Sequence, residues 1–585
     1  MAKETTWTFG AAPDTDWLTV GNWSNGVAVA TDTIDISSTT TPTNIPDQTG
    51  ETYHFSITNP VSVTLANWIN GGSIGNVAVN DAGASITAGA NITGLFVASL
   101  GTLIITQGET VTGSGTILGA TLQCTGAGTV TASDDWSVVL TGTLQVDNGT
   151  TLDFAATKGL IGGGAGASVI NNGTIVGLVN LASGGVWTTG TGTITVDETG
   201  TLNLGTDDDN NQTVDINGAG KTITLGDHFR CHGLTLTAGT LDMASKTVTV
   251  GGGGFTHTDA VVLANVGNIV VAETCHGRWE DYGDPLASLT VNASQILTVG
   301  AAGSEDVRMK VLVNNGTIDL LNSSRVQVYL AGSNFWSGTG TVTTAATGTV
   351  TVTLAGDTTT LTGVIRTTDI GVALTTISLP DATLTGGAAD LGTGSLTVYH
   401  KDDSDKLTWT VGTGVACGNL VLGTGAKEGG LDMNGHDLSM SGDMLFDGEN
   451  CTVVLGSGTH TIGGEIKRNT GDETGCSLDF ATSKTTLDGD VTLAGITAAF
   501  GSARIVADGI TINGGSATAI TASGSRIDCG GTGRVTAVTA TGQRLVVHRA
   551  VDSGGSPVRS WNGDGCTNVR FLGRRVIGDR LRAVA

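Results

Sequence analysis

Residues 171–204 and residues 314–354 read as two copies of one passage. Each opens on Asn-Asn-Gly-Thr-Ile, at Asn171 and at Asn314, and runs through a tryptophan, Trp187 or Trp336. Each then reaches Gly-Thr-Gly-Thr-Ile or Gly-Thr-Gly-Thr-Val and closes on Thr-Gly-Thr-Leu or Thr-Gly-Thr-Val. A second pair follows in the same order: Cys231-His-Gly-Leu-Thr-Leu leads to Leu241-Asp-Met, and Cys417-Gly-Asn-Leu-Val-Leu leads to Leu431-Asp-Met. Self-similarity of this kind marks a repeat architecture, whose units bury their apolar faces by stacking on one another. Most of the chain is then scaffold, and chemistry must be sought where the pattern breaks.

The repeating unit is a short strand and a tight turn. Gly192-Thr-Ile-Thr-Val-Asp and Lys246-Thr-Val-Thr-Val alternate apolar residues with threonine, the period of a half-buried strand. Residues 142–154 set an Asp-Asn-Gly turn between two such runs. Gly makes up 91 of 585 residues, but only 7 are Pro, which excludes collagen and proline-rich linkers. Charged residues are 14% against 39% hydrophobic, too few charges for a disordered chain. The reading is an all-β chain, a parallel β-solenoid of the right-handed β-helix kind, with Gly/Asn/Asp turns. At roughly 20 to 25 residues per coil and about 4.8 Å of rise, the body would be a rod on the order of 100 Å long. The chain divides into a Trp-rich cap or attachment segment, 1–50, two solenoid blocks, 51–312 and 313–543, and a basic C-terminal segment, 544–585.

Charge is distributed unevenly. Residues 544–585 hold eight Arg and three Asp, net +5, leaving −31 on the rest of a chain whose total is −26. An acidic body argues against nucleic-acid binding along its length. The basic end carries Arg574, Arg575, Arg580 and Arg582 among apolar Val576, Ile577 and Leu581, a pattern suited to an assembly contact with an acidic surface. The first residues show no basic and apolar secretory leader, and no apolar run approaches the length of a membrane span. Eight cysteines lie scattered and single, as buried small hydrophobes do in a protein that folds in a reducing compartment.

The N-terminal block adds a further pattern. Trp7-Thr-Phe-Gly precedes Asp14-Thr-Asp-Trp17, then Gly21-Asn-Trp23-Ser-Asn-Gly26, then Asp32-Thr-Ile-Asp-Ile36. This block resembles the opening of many bacterial and phage β-solenoid proteins, phage fibre and spike proteins among them, with Val27-Ala-Val-Ala in place of their usual proline. Residues 560–571 are similar to the closing strand of the same proteins. Physically, three tryptophans within the first 23 residues suit a plug for the open end of a solenoid, which otherwise exposes strand edges and core.

Several side-chain groupings invite chemistry. His228, Cys231 and His232, with His257, Cys275 and His276, offer thiolate and imidazole ligands for zinc, but no Cys-x-x-Cys knuckle accompanies them. Core cysteines beside surface histidines account for the same residues. Asp207–Asp209, Glu280, Asp281 and Asp284, and Asp402, Asp403 and Asp405 could supply oxygens to calcium; solvated turns explain them equally simply. Asp134 and Asp135 before Trp136, and Glu280 and Asp281 near Trp279 and Tyr282, could act as glycosidase carboxylate pairs. The stretch Arg278, Trp279, Glu280, Asp281, Tyr282 breaks the repeat and is the candidate surface-binding excursion. Aromatic residues are only 4% of the chain, few for a sugar-binding groove, so no catalytic residue, metal or cofactor is assigned.

The resemblance implies a bacteriophage virion structural protein, a tail fibre, spike or capsid-attached fibre, assembled in the host cytoplasm and extracellular after release. It further implies identical subunits in a trimer, other virion proteins and a host-surface glycan as partners. Two other readings stand beside it: a bacterial surface adhesin exported without a Sec signal, and a β-helix polysaccharide depolymerase.

Overall fold

The computed structural model describes most of residues 4–508 and, from there to 572, strand backbone alone. Residues 1–3, 8–17, 182–185, 205–211, 258–260, 280–284, 331–335, 345–348, 355–357, 367–370, 377–381, 470–472, 514–518, 531–533, 549–568 and 573–585 lie outside the description, with some shorter gaps and the side chains of many strand residues between 344 and 382 and beyond 505. Internal contacts divide the chain into two compact units, 1–287 and 288–585. Each unit is built of parallel strands in a β-solenoid, with about 18 turns counted over the two. Among the described residues the helical elements are two 3-10 turns, Val20–Asn22 and Leu65–Trp68, and no helix is long and apolar enough to cross a membrane.

A coil of the first unit shows the plan. Strands Thr143–Val146, Thr151–Phe154 and Gly159–Gly163 follow one another through short turns. Each pairs in parallel with its counterpart one coil on: Ser168–Asn171, Thr174–Val176 and Leu178–Leu181. The second unit repeats the plan, with Leu420–Gly425, Glu428–Asp432 and Leu438–Met440 stacked under Met444–Gly448, Thr452–Val454 and Thr459–Ile462. Most of its strands form an 11-stranded and a 15-stranded sheet.

Alternation along each strand becomes columns across coils. Leu152, Ile175, Ile194, Val214 and Leu234 occupy successive rungs, and all five are buried. On the outer face of the same rungs stand Thr151, Thr174, Thr193 and Thr213. β-Branched residues fit both positions of a pleated sheet, which is why threonine replaces charge over so much of the surface. Length varies at the corners: Thr174 to Thr193 is one coil of 19 residues, and Thr452 to Ser477 one of 25.

The duplicated passage now has a physical cause. Asn171 and Asn314 are both fully buried at strand ends. Each Nδ2 donates to a carbonyl one coil on, Asn171 to Thr193 at 3.0 Å and Asn314 to Thr341 at 3.1 Å. Their own carbonyls accept from the Gly192 and Gly340 amides, at 2.9 and 2.8 Å. Glycine is needed where coils approach this closely. A Cβ at Gly173 would lie 2.2 Å from the Thr150 carbonyl oxygen, and one at Gly316 2.3 Å from that of Gln295. The Asn-Asn-Gly and Gly-Thr-Gly elements therefore fit one another across a coil interface, in each unit independently.

At the N-terminal end, Trp7 packs edge-to-face on Trp23 and on Trp68, at ring separations of 4.8 and 5.7 Å. Trp7 and Trp68 are fully buried. The indole of Trp7 donates to the Thr40 carbonyl at 3.1 Å, the kind of acceptor that buried indoles usually find. Among the described strands, Glu4–Trp7 ends its sheet, pairing in parallel with Thr33–Ile36, and Trp7 forms a further antiparallel bridge with Trp23. Trp17 lies outside the described residues.

Candidate functional site

Each grouping singled out in the sequence has a definite setting where it is described. Asp134 and Asp135 sit at the corner before strand Trp136–Val139. Lys158 of the next coil donates to Asp134 at 2.6 Å and lies 3.6 Å from Asp135, whose other oxygen accepts the Gly159 amide at 2.9 Å. The Lys158 hydrogen bond holds the Asp134 carboxyl below its ordinary value. An ionised carboxylate tied to lysine is poorly suited to donate a proton to a glycosidic oxygen. The neighbouring Trp136 offers no stacking platform either: it is fully buried between Phe96 and Phe154, at 5.1 and 5.5 Å.

In the Arg278–Tyr282 stretch, Trp279 is fully buried and stacks on His257 at 5.0 Å with 27° between the rings. It belongs to the core and not to the surface. Glu280, Asp281, Tyr282 and Asp284 lie outside the described residues, as do Asp207–Asp209 and the four C-terminal arginines, Arg574, Arg575, Arg580 and Arg582. Of the zinc candidates, Cys231 is fully buried, whereas His232 is exposed. Burial pushes the Cys275 thiol up to about 12, so it is protonated and a poor ligand. These six residues do not gather into a metal-binding group in the structure.

Two further ionisable clusters among the described residues involve buried groups. The first lies on the outer face of Asp306–Met309, the edge strand of the 11-stranded sheet, and its neighbour Arg325–Leu330. Asp306 accepts from Arg308 at 2.6 Å, from Arg325 at 2.9 and 2.7 Å, and from Gln327 at 3.4 Å. Asp306, Arg308 and Gln327 are buried although their strand positions face outward. The cluster is an internal ion-pair network, two guanidinium groups sharing one carboxylate. Charge on an edge strand also discourages further strands from adding to it.

The second cluster contains two of the acidic residues weighed for calcium. His400 follows strand Leu396–Val398 and is fully buried. The metal-ligating atoms of His400, Asp402 and Asp405 all lie within 4.8 Å of one another; Asp403 is not among them. Imidazole with two carboxylates is a donor set that zinc accepts, and it falls short of the six to eight oxygens of calcium. The His400 Nδ1, however, accepts the Asp402 amide at 3.1 Å, so a cation at this nitrogen must displace that bond. As it stands the group shapes the turn over 402–405.

Sequence reasoning passed over two further settings. His460 is buried in the core one rung above Leu438, and Cys451 and Cys476 sit on adjacent coils. The signal for both was coil spacing: residues about one coil apart share a column. No family model matches the chain, and neither the curated proteins nor the solved structures contain a match to it.

Proposed function

We propose that the chain is a structural component of a bacteriophage particle, a tail fibre, spike or capsid-attached fibre that serves particle architecture and attachment to the host surface. The observation that carries this reading is how the groups with chemical potential are used. The Asp134–Asp135 pair, the Asp306 cluster, Trp136 and Trp279 all hold coils together. The outer face of the rungs from Thr151 to Thr213 is a threonine ladder. Six described cysteines are free and buried, which supports folding in a reducing compartment, whereas a long acidic solenoid suits service outside the cell. A virion protein reconciles the two. Leu18, Val20 and Val29, each more than half exposed in the segment that carries the tryptophan cluster, suit a packed junction at that end. A homo-oligomer, in trimeric form, with the C-terminal arginines near the subunit contact completes the reading.

Immunogold labelling of particles released by lysis tests it. Label on the particles is the expected result. Label confined to the surface of intact cells would favour the adhesin. Release of oligosaccharide from host polysaccharide would favour the depolymerase. Sedimentation of the full chain and of a chain lacking residues 572–585 reads the oligomer separately.

A further inference from the structure

Cys451 immediately precedes strand Thr452–Val454, and Cys476 opens strand Cys476–Asp479. These strands pair in parallel with Thr452 opposite Ser477, and the Ser477 amide donates to the Cys451 carbonyl at 2.9 Å. The two cysteines are therefore opposed on neighbouring rungs of one inward-facing column, and both are fully buried. Adjacent parallel strands lie about 4.8 Å apart, inside the Cα separation that a disulfide spans, about 4.4 to 6.8 Å. Backbone glycines make room for the sulfur: a Cβ at Gly423 would lie 2.7 Å from the Cys451 Sγ, and one at Gly448 3.2 Å from it. Both thiols also reach carbonyls of the coil before, Cys451 that of Leu422 at 3.1 Å and Cys476 that of Gly448 at 3.4 Å. No other pair of the free cysteines among the described residues shares a rung in this way.

The geometry points to a redox-operated staple: Cys451 and Cys476 close a disulfide between two coils once the protein meets a peroxide-class oxidant. The inference does not rest on the fibre reading. Cys451 is the more tightly held thiol, 3.1 Å from its carbonyl against 3.4 Å for Cys476, and the contact between the two lowers the Cys476 thiol and raises that of Cys451. The proposed step therefore starts from the Cys476 thiolate. Its sulfur attacks one oxygen of hydrogen peroxide and breaks the O–O bond. The departing hydroxide takes up the proton that Cys476 released, giving water and a Cys476 sulfenic acid. The Cys451 sulfur then attacks the Cys476 sulfur and displaces hydroxide, which leaves as water with the Cys451 proton. Two thiols and one peroxide give one disulfide and two waters.

The test uses the reduced full chain. It is treated with hydrogen peroxide, unfolded in an alkylating reagent and mapped by mass spectrometry under non-reducing conditions. The expected product is one peptide pair joining Cys451 to Cys476 within a single chain, two hydrogens lighter than the free peptides and separated again by dithiothreitol. Cys124, Cys231 and Cys417 should remain alkylatable. Cys451→Ser should leave Cys476 as a sulfenic acid that dimedone traps, and Cys476→Ser should leave Cys451 unmodified. Alkylation of both Cys451 and Cys476 under conditions that oxidise other cysteines would overturn the inference, as would their linkage between chains. Should either variant fail to fold, the wild-type peptide map alone decides.

Discussion

The two copies of the Asn-Asn-Gly passage make a controlled comparison, because the same residue type at the same place is bonded differently. Asn171 makes three side-chain hydrogen bonds: to the Thr193 carbonyl at 3.0 Å, to Gln212 Oε1 at 2.8 Å, and from the Gly173 amide at 3.1 Å. Asn314 makes one, to the Thr341 carbonyl, and its Oδ1 is buried with no partner among the described residues. Asn171→Ala removes three bonds worth about 1 kcal/mol each, one of them to the fully buried Gln212. The loss should total about 3 kcal/mol. Asn314→Ala removes one bond and an unsatisfied oxygen together, so it should cost about 1 kcal/mol or less. Long solenoids do not unfold in one step, so the readout must be local. Hydrogen exchange of peptides spanning 168–196 in the first variant and 312–344 in the second supplies it. At 1.4 kcal/mol per tenfold, protection should fall roughly a hundredfold or more in the first and about tenfold or less in the second. Equal losses, or a larger loss at Asn314, would refute the assignment of the Gln212 network.

Gly192→Ala and Gly340→Ala should each cost about 3 kcal/mol or more, because their Cβ atoms would sit 2.3 and 2.1 Å from backbone oxygens of Gly173 and Gly316 that cannot yield. Gly108→Ala, with open space around it and φ of +80°, should cost only about 1 kcal/mol of backbone strain, and hydrogen exchange of the peptides around each site checks the order. Burial lowers the His460 pKa, and its Nδ1 accepts the Leu438 amide at 3.1 Å. With the folded value below the unfolded one, about 6.5, the unfolded chain binds more protons as pH falls from there. Stability conferred by the neutral ring should thus be full above that pH and be lost as pH falls through the folded value. Melting curves between pH 7.5 and 4.5 should show this loss in the wild type and less of it in His460→Leu. Trp136→Ala should cost about 3–5 kcal/mol, read as a lost near-ultraviolet signal and a lower melting temperature.

Strand and turn were legible because threonine alternation states the face of each residue directly. The pattern Thr143-Leu-Gln-Val alternates half-buried and buried positions as its sequence predicts. The repeated Asn-Asn-Gly was visible as a duplication, yet its cause was not, since Asn in a turn-rich sequence reads as a turn residue. Here it is a fully buried bridge between coils. The break in the repeat at Arg278–Tyr282 predicts a surface excursion that includes Trp279. Its position two past Gly277 and four past Cys275, both buried, puts it on the inward face. The same alternation places His460 inside, between exposed Thr459 and Thr461. Parity along the strand was a better guide than the character of neighbours. What alternation cannot supply is which side chains meet across coils, because corners of 19- and 25-residue coils shift the spacing from one rung to the next.

Those unequal corners have a consequence for how such a chain can change. The Leu152 to Leu234 column keeps its register while the coils that carry it differ in length. Extra residues are absorbed where the backbone turns, and the rungs above and below do not feel them. Insertions or deletions at a corner should therefore leave stability nearly unaltered while remodelling what projects sideways. A solenoid of this kind separates the part of its sequence that must stay fixed from the part free to vary. It can acquire a new lateral surface coil by coil without refolding.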